Sequence, residues 1–551
     1  MGNKGMTLNI CIYKKQLDNA VIIFLEKAFI KDGRQLMLSA KDADLLDIDA
    51  NYMQTGCFWC LKDEQERIYG TIALRKLSDC WEIRRFFIHS KFQGKGYGTQ
   101  LLNTALHYAA QHDIRLIKAA TMERGKIAYS IFTKAGFVST TRYNNSSGEI
   151  FLKLEVTAKL QYKLLLSNLK RQFEESLILN PTENLPMYDD SLDTTFIDGL
   201  YVSERYKDLN DKIIFAGRNN FIDFFEKIKA QWKIALKAYD VDLKTLSGLQ
   251  AHMVLFMCIL QPGDTVMLLP EICGGHYSTE TILKSLGAQV IHMQPDCKGL
   301  CVDREKTEAL IEQFHPRFIF VDRSEGLMYE NFSWLKRFAN SFKIFDASQY
   351  LSQILVGTYT HPFDMGFDMI LSTLHKNYPG PQKGLICVSE NSPIWQTYQA
   401  DAKTYISSTH PGDIAASIIP LLDFKNFQQY AHINEMCCRN LEKELIKRKI
   451  PVLQLRQEVI KTMHTWILKE DGYSIYDYYL KLEQLGLYTN YRLLPYNLGY
   501  GLRIGTSAAV RSGLTGKYIP ALAEIMAQAY HGEITHGLKE QTKKLIKKIK
   551  S

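Results

Sequence analysis

The sequence has no run of eighteen apolar residues, so it offers no helix suited to crossing a membrane. Its start, Met1-Gly-Asn-Lys-Gly-Met6, lacks the apolar core of a secretory signal, and Met6 stands where a myristoylation start needs Ser or Thr. Cysteine is scarce, with eleven scattered over 551 residues and none of the regular spacing of a disulfide scaffold. One CxxC occurs, Cys57-Phe-Trp-Cys60, in a strand-like run with no second ligand pair nearby. A zinc or redox motif is therefore not expected there, and no metal site is expected elsewhere. Internal repeats and low-complexity segments are absent, and a net charge of +8 is modest for this length. These absences lead us to expect a cytoplasmic protein that binds neither nucleic acid nor membrane.

One basic stretch needs separate treatment. Six lysines between Lys539 and Ser551 surround Leu545, Ile546 and Ile549, which share a helix face. An anionic surface could read such a helix; a solvated terminal helix is the favoured reading.

What is present is the material for several cores. Hydrophobic residues make up 46% of the chain and aromatics 11%, and 551 residues call for two to four domains. We expect four segments: 1–156, a linker helix over 157–180, a large domain over 181–415, and a small C-terminal domain over 416–551.

In the first segment, Cys57–Leu61 and Tyr69–Leu74 read as a hairpin and Trp81–Ile88 as the next strand. That strand runs into Gln93-Gly-Lys-Gly-Tyr-Gly98 and an amphipathic helix, Thr99–Gln111. A glycine-rich turn at a helix N-terminus bares backbone N–H groups for a pyrophosphate. The G-x-G-x-x-G spacing of a dinucleotide fold is absent. Gln93, Gly94, Gly96 and Gly98, followed later by Ala128-Tyr-Ser-Ile-Phe-Thr-Lys-Ala-Gly-Phe137, resemble the GNAT N-acetyltransferases. The resemblance implies that fold, acetyl-CoA or another acyl-CoA at the glycine turn, and an amine acceptor. Phe132 occupies the position where many members have a proton-donating tyrosine, leaving Tyr129, water or nothing for that step. Glu82 is the candidate base; alternatively it is a strand carboxylate paired with Arg84 or Arg85. A domain that binds CoA without turning it over stays open.

The remainder alternates strand-like and helical runs, as in a mostly parallel sheet with crossover helices. A buried strand, Phe367–Leu371, leads to His375-Lys376 and the rigid turn Pro379-Gly-Pro381. A lysine held there loses solvent, and a neutral amine attacks carbonyls. Polar residues close several strand ends: Ser324 after Arg317–Asp322, and Asp346 at the end of Lys343–Asp346. Ser247 and Gly248 open a helix, and Gly274-Gly-His276 follows the strand Thr265–Leu269. Groups gathered at the C-terminal ends of parallel strands mark a ligand crevice.

Ser247-Gly248-x-Gln250-Ala251, Gly274-Gly-His276, Asp346, His375-Lys376, Gly501-Leu-Arg-Ile-Gly-Thr506 and Pro181-Thr-Glu-Asn184 together resemble serine hydroxymethyltransferase, a fold-type I enzyme of pyridoxal phosphate. The resemblance implies that Lys376 holds this cofactor as a Schiff base and that Asp346 pairs with its ring nitrogen. It implies that His276 stacks on the ring, Ser247 and Gly248 take the phosphate, and Ser324, Gln349 and His375 complete the cofactor's surroundings. Arg503 would clamp the substrate carboxylate, Glu183 would be the acid/base carboxylate, and Tyr201 and Tyr206 would reach across a homodimer. Leu249 replaces a usual serine, Gln349 a histidine, Pro379 an arginine and Arg492 an asparagine beside folate. The cofactor residues are better kept than those for tetrahydrofolate.

The expected protein is an α/β fusion: a GNAT domain followed by a fold-type I enzyme acting at the Cα of a glycine- or serine-like amino acid. Decarboxylative condensation with an acyl-CoA, transamination, and a non-catalytic binding or regulatory role are the alternatives.

Overall fold

A computed structural model describes residues 8–144, 148–198, 219–455 and 461–551. Contacts divide the chain between Glu174 and Glu175 into two compact units.

The first unit is a seven-stranded sheet built from β1 (Asn9–Ile12), β2 (Cys57–Lys62), β3 (Ile68–Lys76), β4 (Trp81–Ile88), β5 (Leu116–Thr121), β6 (Val138–Ser139) and β7 (Ile150–Glu155), in the order β1-β2-β3-β4-β5-β7-β6. Side chains alternate across a strand, and β2 uses both sides. Cys57, Trp59 and Leu61 enter the core beneath helix α2 (Tyr97–Gln111), while Phe58 and Cys60 enter a second core with α1 (Asp18–Lys31). The two CxxC cysteines thus point to opposite faces and form no ligand pair. Leu101, Leu102, Ala105, Leu106 and Ala109 recur at helical spacing and fix α2 on the sheet.

Two details open this sheet. Arg85 has φ +51°, a left-handed backbone inside β4 that marks a bulge, and the β3–β4 register shifts beside it. Strands β4 and β5 are parallel and pair only through Trp81–Ile83 and Ile117–Ala119, although β4 continues to Ile88. Beyond Ile83 the two strands part. Helix α3 (Lys126–Lys134) precedes the short edge strand, and α4 (Ala158–Glu174) follows β7. Sequence reading treats α4 as a linker; in the structure Leu160 and Leu164 pack on the first core, and Gln161 Nε2 donates to Ala110 O at 2.8 Å.

The second unit holds a seven-stranded sheet in the order Gln289–His292, Thr265–Leu268, Phe318–Asp322, Phe342–Asp346, Met369–Thr373, Gly384–Val388, Asp240–Asp242. The first five run parallel and the last two are antiparallel to their neighbours. Each central strand is apolar on both faces, as a sheet covered twice requires. Phe318 and Phe320 enter one core, Ile319 and Val321 the other.

The C-terminal part packs helices Phe424–Lys447, Ile519–His531 and His536–Lys550 with a three-stranded sheet of His464–Ile467, Gly499–Gly505 and Asn490–Leu494. Leu177–Ile178, just past the unit boundary, pairs with Leu487–Tyr488 there. Leu545, Ile546 and Ile549 of the terminal helix are buried in this core, so its apolar stripe is an internal packing surface.

Candidate active site

The parallel strands bring the chemistry together at their C-terminal ends. Asp322 and Asp346 are direct register partners, and Asp346 is paired with Leu371. The strand Met369–Thr373 then delivers His375-Lys376 into a turn closed by Gly380 N–H donating to Leu374 O at 2.8 Å. Thr373 Oγ1 and His375 Nδ1 lie 2.7 Å apart, which fixes the start of that turn. Lys376 is half-buried, and its charge depresses the protonation of His252, His276, His375 and His464. Burial and this neighbouring ammonium push His375 down to about 4. Asp346 thus ends one strand and Lys376 follows the end of the next, and both act electrostatically on His252 and His276.

Asp346 is buried, with His252 Nε2 at 2.6 Å from its Oδ2 and Ser348 N–H donating to its Oδ1 at 2.7 Å. Burial alone would raise a carboxyl; the His252 and Ser348 hydrogen bonds and the imidazolium charge outweigh it and hold Asp346 below its usual range. Burial correspondingly lowers His252, but the Asp346 contact wins and leaves it raised. Asp322 sits beside them, accepting from Thr279 Oγ1 at 3.1 Å and Ser324 Oγ at 3.0 Å. Burial and the Asp346 charge raise its pKa. His252 was not foreseen from the sequence. It lies one residue beyond the Ser247–Ala251 motif, in an otherwise apolar helix, and only packing reveals its partner.

The cradle around this acid depends on backbone approach. Ser247 caps the helix Gly248–Ile259, its Oγ accepting from Gln250 N–H at 3.1 Å. A Cβ on Gly274, where φ is +88°, would stand 1.9 Å from Glu325 O. His276 follows that turn; burial lowers its pKa, so the ring is held neutral. Gln349 Oε1 lies 3.2 Å from His464 Nε2, and burial keeps that second unforeseen imidazole unprotonated. Leu249 is partly exposed, at 39%, at the same helix start. Pyridoxal phosphate fits this set: an ionised buried acid for a ring nitrogen, a neutral imidazole, a capped helix start with bare N–H groups, and an amine within electrostatic reach.

Arg503 is 2% exposed, its Nε donating to Asn490 Oδ1 at 2.9 Å. Glu183 is exposed and accepts from Asn180 Nδ2 at 3.1 Å, away from burial. Tyr201 and Tyr206 lie outside the described residues.

In the first unit the parting of β4 and β5 opens a cleft of about 1730 Å³, lined by Gln93, Gly94, Gly96 and Gly98 and also by Glu82 and Phe132. Gly94 and Gly96 have φ +74° and +83°, the left-handed conformation such a loop needs. Glu82 is 2% exposed, and its closest partners are not its sequence neighbours. Arg75, directly opposite on β3, donates to Oε2 from Nε and Nη2 at 3.1 and 3.0 Å, while Tyr143 and Asn144 donate to Oε1. Arg84 stays at 4.0 Å, and Arg85 is buried in ion pairs with Asp42 and Asp44. Phe132 packs between Phe86 and Phe137, and Tyr129 is exposed outside the cleft lining.

Comparison with known proteins agrees with both halves. Residues 27–137 match the acetyltransferase (GNAT) family model, and residues 156–526 match the serine hydroxymethyltransferase model. A serine hydroxymethyltransferase of Pyrobaculum islandicum is 24% identical over 375 residues, covering 66% of this chain and 84% of the relative. A fluorothreonine transaldolase of Streptantibioticus cattleyicolor is 31% identical over 214 residues, 38% of this chain and 34% of that protein. The crystal structure of an L-threonine transaldolase from Pseudomonas fluorescens superposes with a TM-score of 0.65 at 19% identity, covering 70% of this chain and 91% of that one. This last likeness is one of fold.

Proposed function

The chain belongs to the serine hydroxymethyltransferase family and carries a GNAT acetyltransferase domain ahead of it, and from that premise we propose that its larger unit makes or breaks a carbon–carbon bond at the Cα of a glycine- or serine-like amino acid. The carrying observation is Asp346: buried, held ionised by His252 and Ser348, on the strand next to the one that delivers Lys376.

Lys376, Asp346, His276, Ser247, Gly248 and Ser324 would hold pyridoxal phosphate. When bound, that group supplies an aldehyde for amines and a protonated ring that accepts the electron pair of a bond broken at Cα. Asp346 would hold a proton at the ring nitrogen, since His252 and Ser348 keep the carboxylate charged. Arg503 orients the amino acid by its carboxylate through a planar fork that lysine cannot reproduce. His276, its protonation disfavoured by burial, would stack on the ring. Glu183 moves the proton of the β-hydroxyl, from a homodimer in which exposed segments of one protomer complete the partner's site.

Aldol exchange between a β-hydroxy amino acid and an aldehyde is favoured over folate-dependent transfer, because Arg492 already has a protein partner, Glu325, where a folate contact would be needed. The GNAT domain would bind acyl-CoA along its glycine turn and acylate an amine, with Glu82 as base. Mass analysis of products from the whole protein, given glycine, serine or threonine with and without aldehyde, tetrahydrofolate and acetyl-CoA, tests this. Cleavage or exchange products support it. Decarboxylated condensation products or keto acids would replace it with another reaction of the same cofactor.

A further inference from the structure

The residue intended for the substrate carboxylate already faces a carboxylate of the protein. Glu325 follows Ser324 at the end of the strand Phe318–Asp322 and is anchored by its N–H donating to Gly274 O at 2.9 Å. It is 4% exposed. Its Oε1 lies 3.6 Å from Nη1 of Arg503, too far for a hydrogen bond, while Nη1 of Arg492 makes the close ion pair with the same oxygen. Its Oε2 is buried without a hydrogen-bond partner.

The register explains this arrangement. Asn490 stands opposite Arg503 and Arg492 opposite Gly501, so both arginines project from the same face of the antiparallel pair. Arg492 is part-exposed and also reaches within 3.8 Å of the exposed Glu271. Arg503 has no such outlet. A carboxylate bound bidentately by Arg503 needs the guanidinium edge that Glu325 faces. Glu325 needs only a short movement to take that edge, and its free Oε2 is the oxygen to do it.

We propose that Glu325 is a resident competitor for Arg503 and that Arg492 is the positioning residue that holds it back, so that this pair sets the affinity for the α-carboxylate of the amino acid. The inference rests on the reading of Arg503 as the carboxylate clamp. Burial outweighs Glu325 and lowers the pKa of Arg503 to about 10, consistent with an arginine whose charge is incompletely balanced. A replacement of Arg492 frees Glu325 to close on Arg503; removing the Glu325 charge opens it.

The test is titration calorimetry of glycine and glycinamide onto the cofactor-loaded protein, with KM and kcat measured in parallel. Arg492→Gln should weaken glycine binding about tenfold, mainly in KM, and Glu325→Gln should strengthen it several-fold. The double variant should bind glycine as Glu325→Gln alone does, and glycinamide, lacking the carboxylate, should respond to neither change. Retained cofactor absorbance in each variant shows that the site is intact. If the double variant binds glycine as poorly as Arg492→Gln, Arg492 contacts the substrate itself and the proposal is overturned. Arg503→Gln separates the two readings: unchanged glycine binding there removes the clamp, whereas lost binding there with a silent Glu325→Gln removes only the competitor.

Discussion

Nε2 of His252 lies 2.6 Å from Oδ2 of Asp346, and neither side chain reaches solvent. One comes from a helix start and the other from a strand end, 94 residues later. The contact favours the charged form of Asp346 where burial alone would disfavour it.

That pair carries a pH signature. Asp346 is lowered on folding, so its contribution is present above the ordinary aspartate value of 3.8 and fades as pH falls through the lower folded value. His252 is raised, so its contribution is complete below 6.5 and fades as pH rises through its folded value. Breaking the buried pair with His252→Asn should cost about 3 kcal/mol near pH 6. It should also remove the fall in stability expected of the parent above pH 6.5. Urea midpoints across pH would measure both; a variant with the parent's pH profile would show that the pair does not titrate with folding.

Lys376→Ala should abolish the visible absorbance of the loaded protein and lower amino-acid turnover by roughly a thousandfold or more. Borohydride reduction of the parent followed by peptide mass analysis should place the cofactor on Lys376. Label on Lys383, a buried lysine lowered by burial to about 8, would move the assignment.

Glu183→Gln should spare cofactor uptake and slow aldol cleavage by about a hundredfold or more. Because Glu183 is exposed on its own chain, mixing it with Lys376→Ala protein should restore part of the activity if the sites are shared between protomers. Equal turnover in Glu183→Gln would take this carboxylate out of the mechanism.

In the first unit, Glu82→Gln should lower stability by about 1–3 kcal/mol, because Arg75 loses its buried carboxylate partner. If Glu82 also serves as base, acetyl transfer should fall further than acetyl-CoA binding does, as read by calorimetry beside rate. A loss of rate no larger than the loss of folded protein assigns it to structure alone.

Ile546→Ala in the terminal helix should cost about 2–4 kcal/mol, a cavity in the C-terminal core. Parent protein should not sediment with anionic vesicles through this helix, because its apolar face is occupied.

Much of the architecture was legible because it rests on local pattern. Continuous apolar runs gave the buried strands around Ile319 and Ile370, turn residues marked their ends, and the glycines before α2 announced a loop at a helix start. Lys376, Asp346 and Ser247 stood at strand or helix termini, where a polar residue after an apolar run is visible in one dimension. The surroundings of Glu82 were only partly legible: Arg84 keeps a long ion pair with it at 4.0 Å, the bulge at Arg85 turns that residue toward Asp42 and Asp44, and the closer partner, Arg75, comes from β3.

The sequence by itself determined which segments could be buried and where strands stop, and its family resemblance offered candidates for holding an aldehyde cofactor or a pyrophosphate. Tertiary packing alone decided that His252 charges Asp346, that Gln349 is taken by His464, and that Glu325 stands between two arginines. The physical reason is that periodicity encodes burial along one element, whereas the ionisation of a buried group depends on partners from distant elements and on the water both have lost.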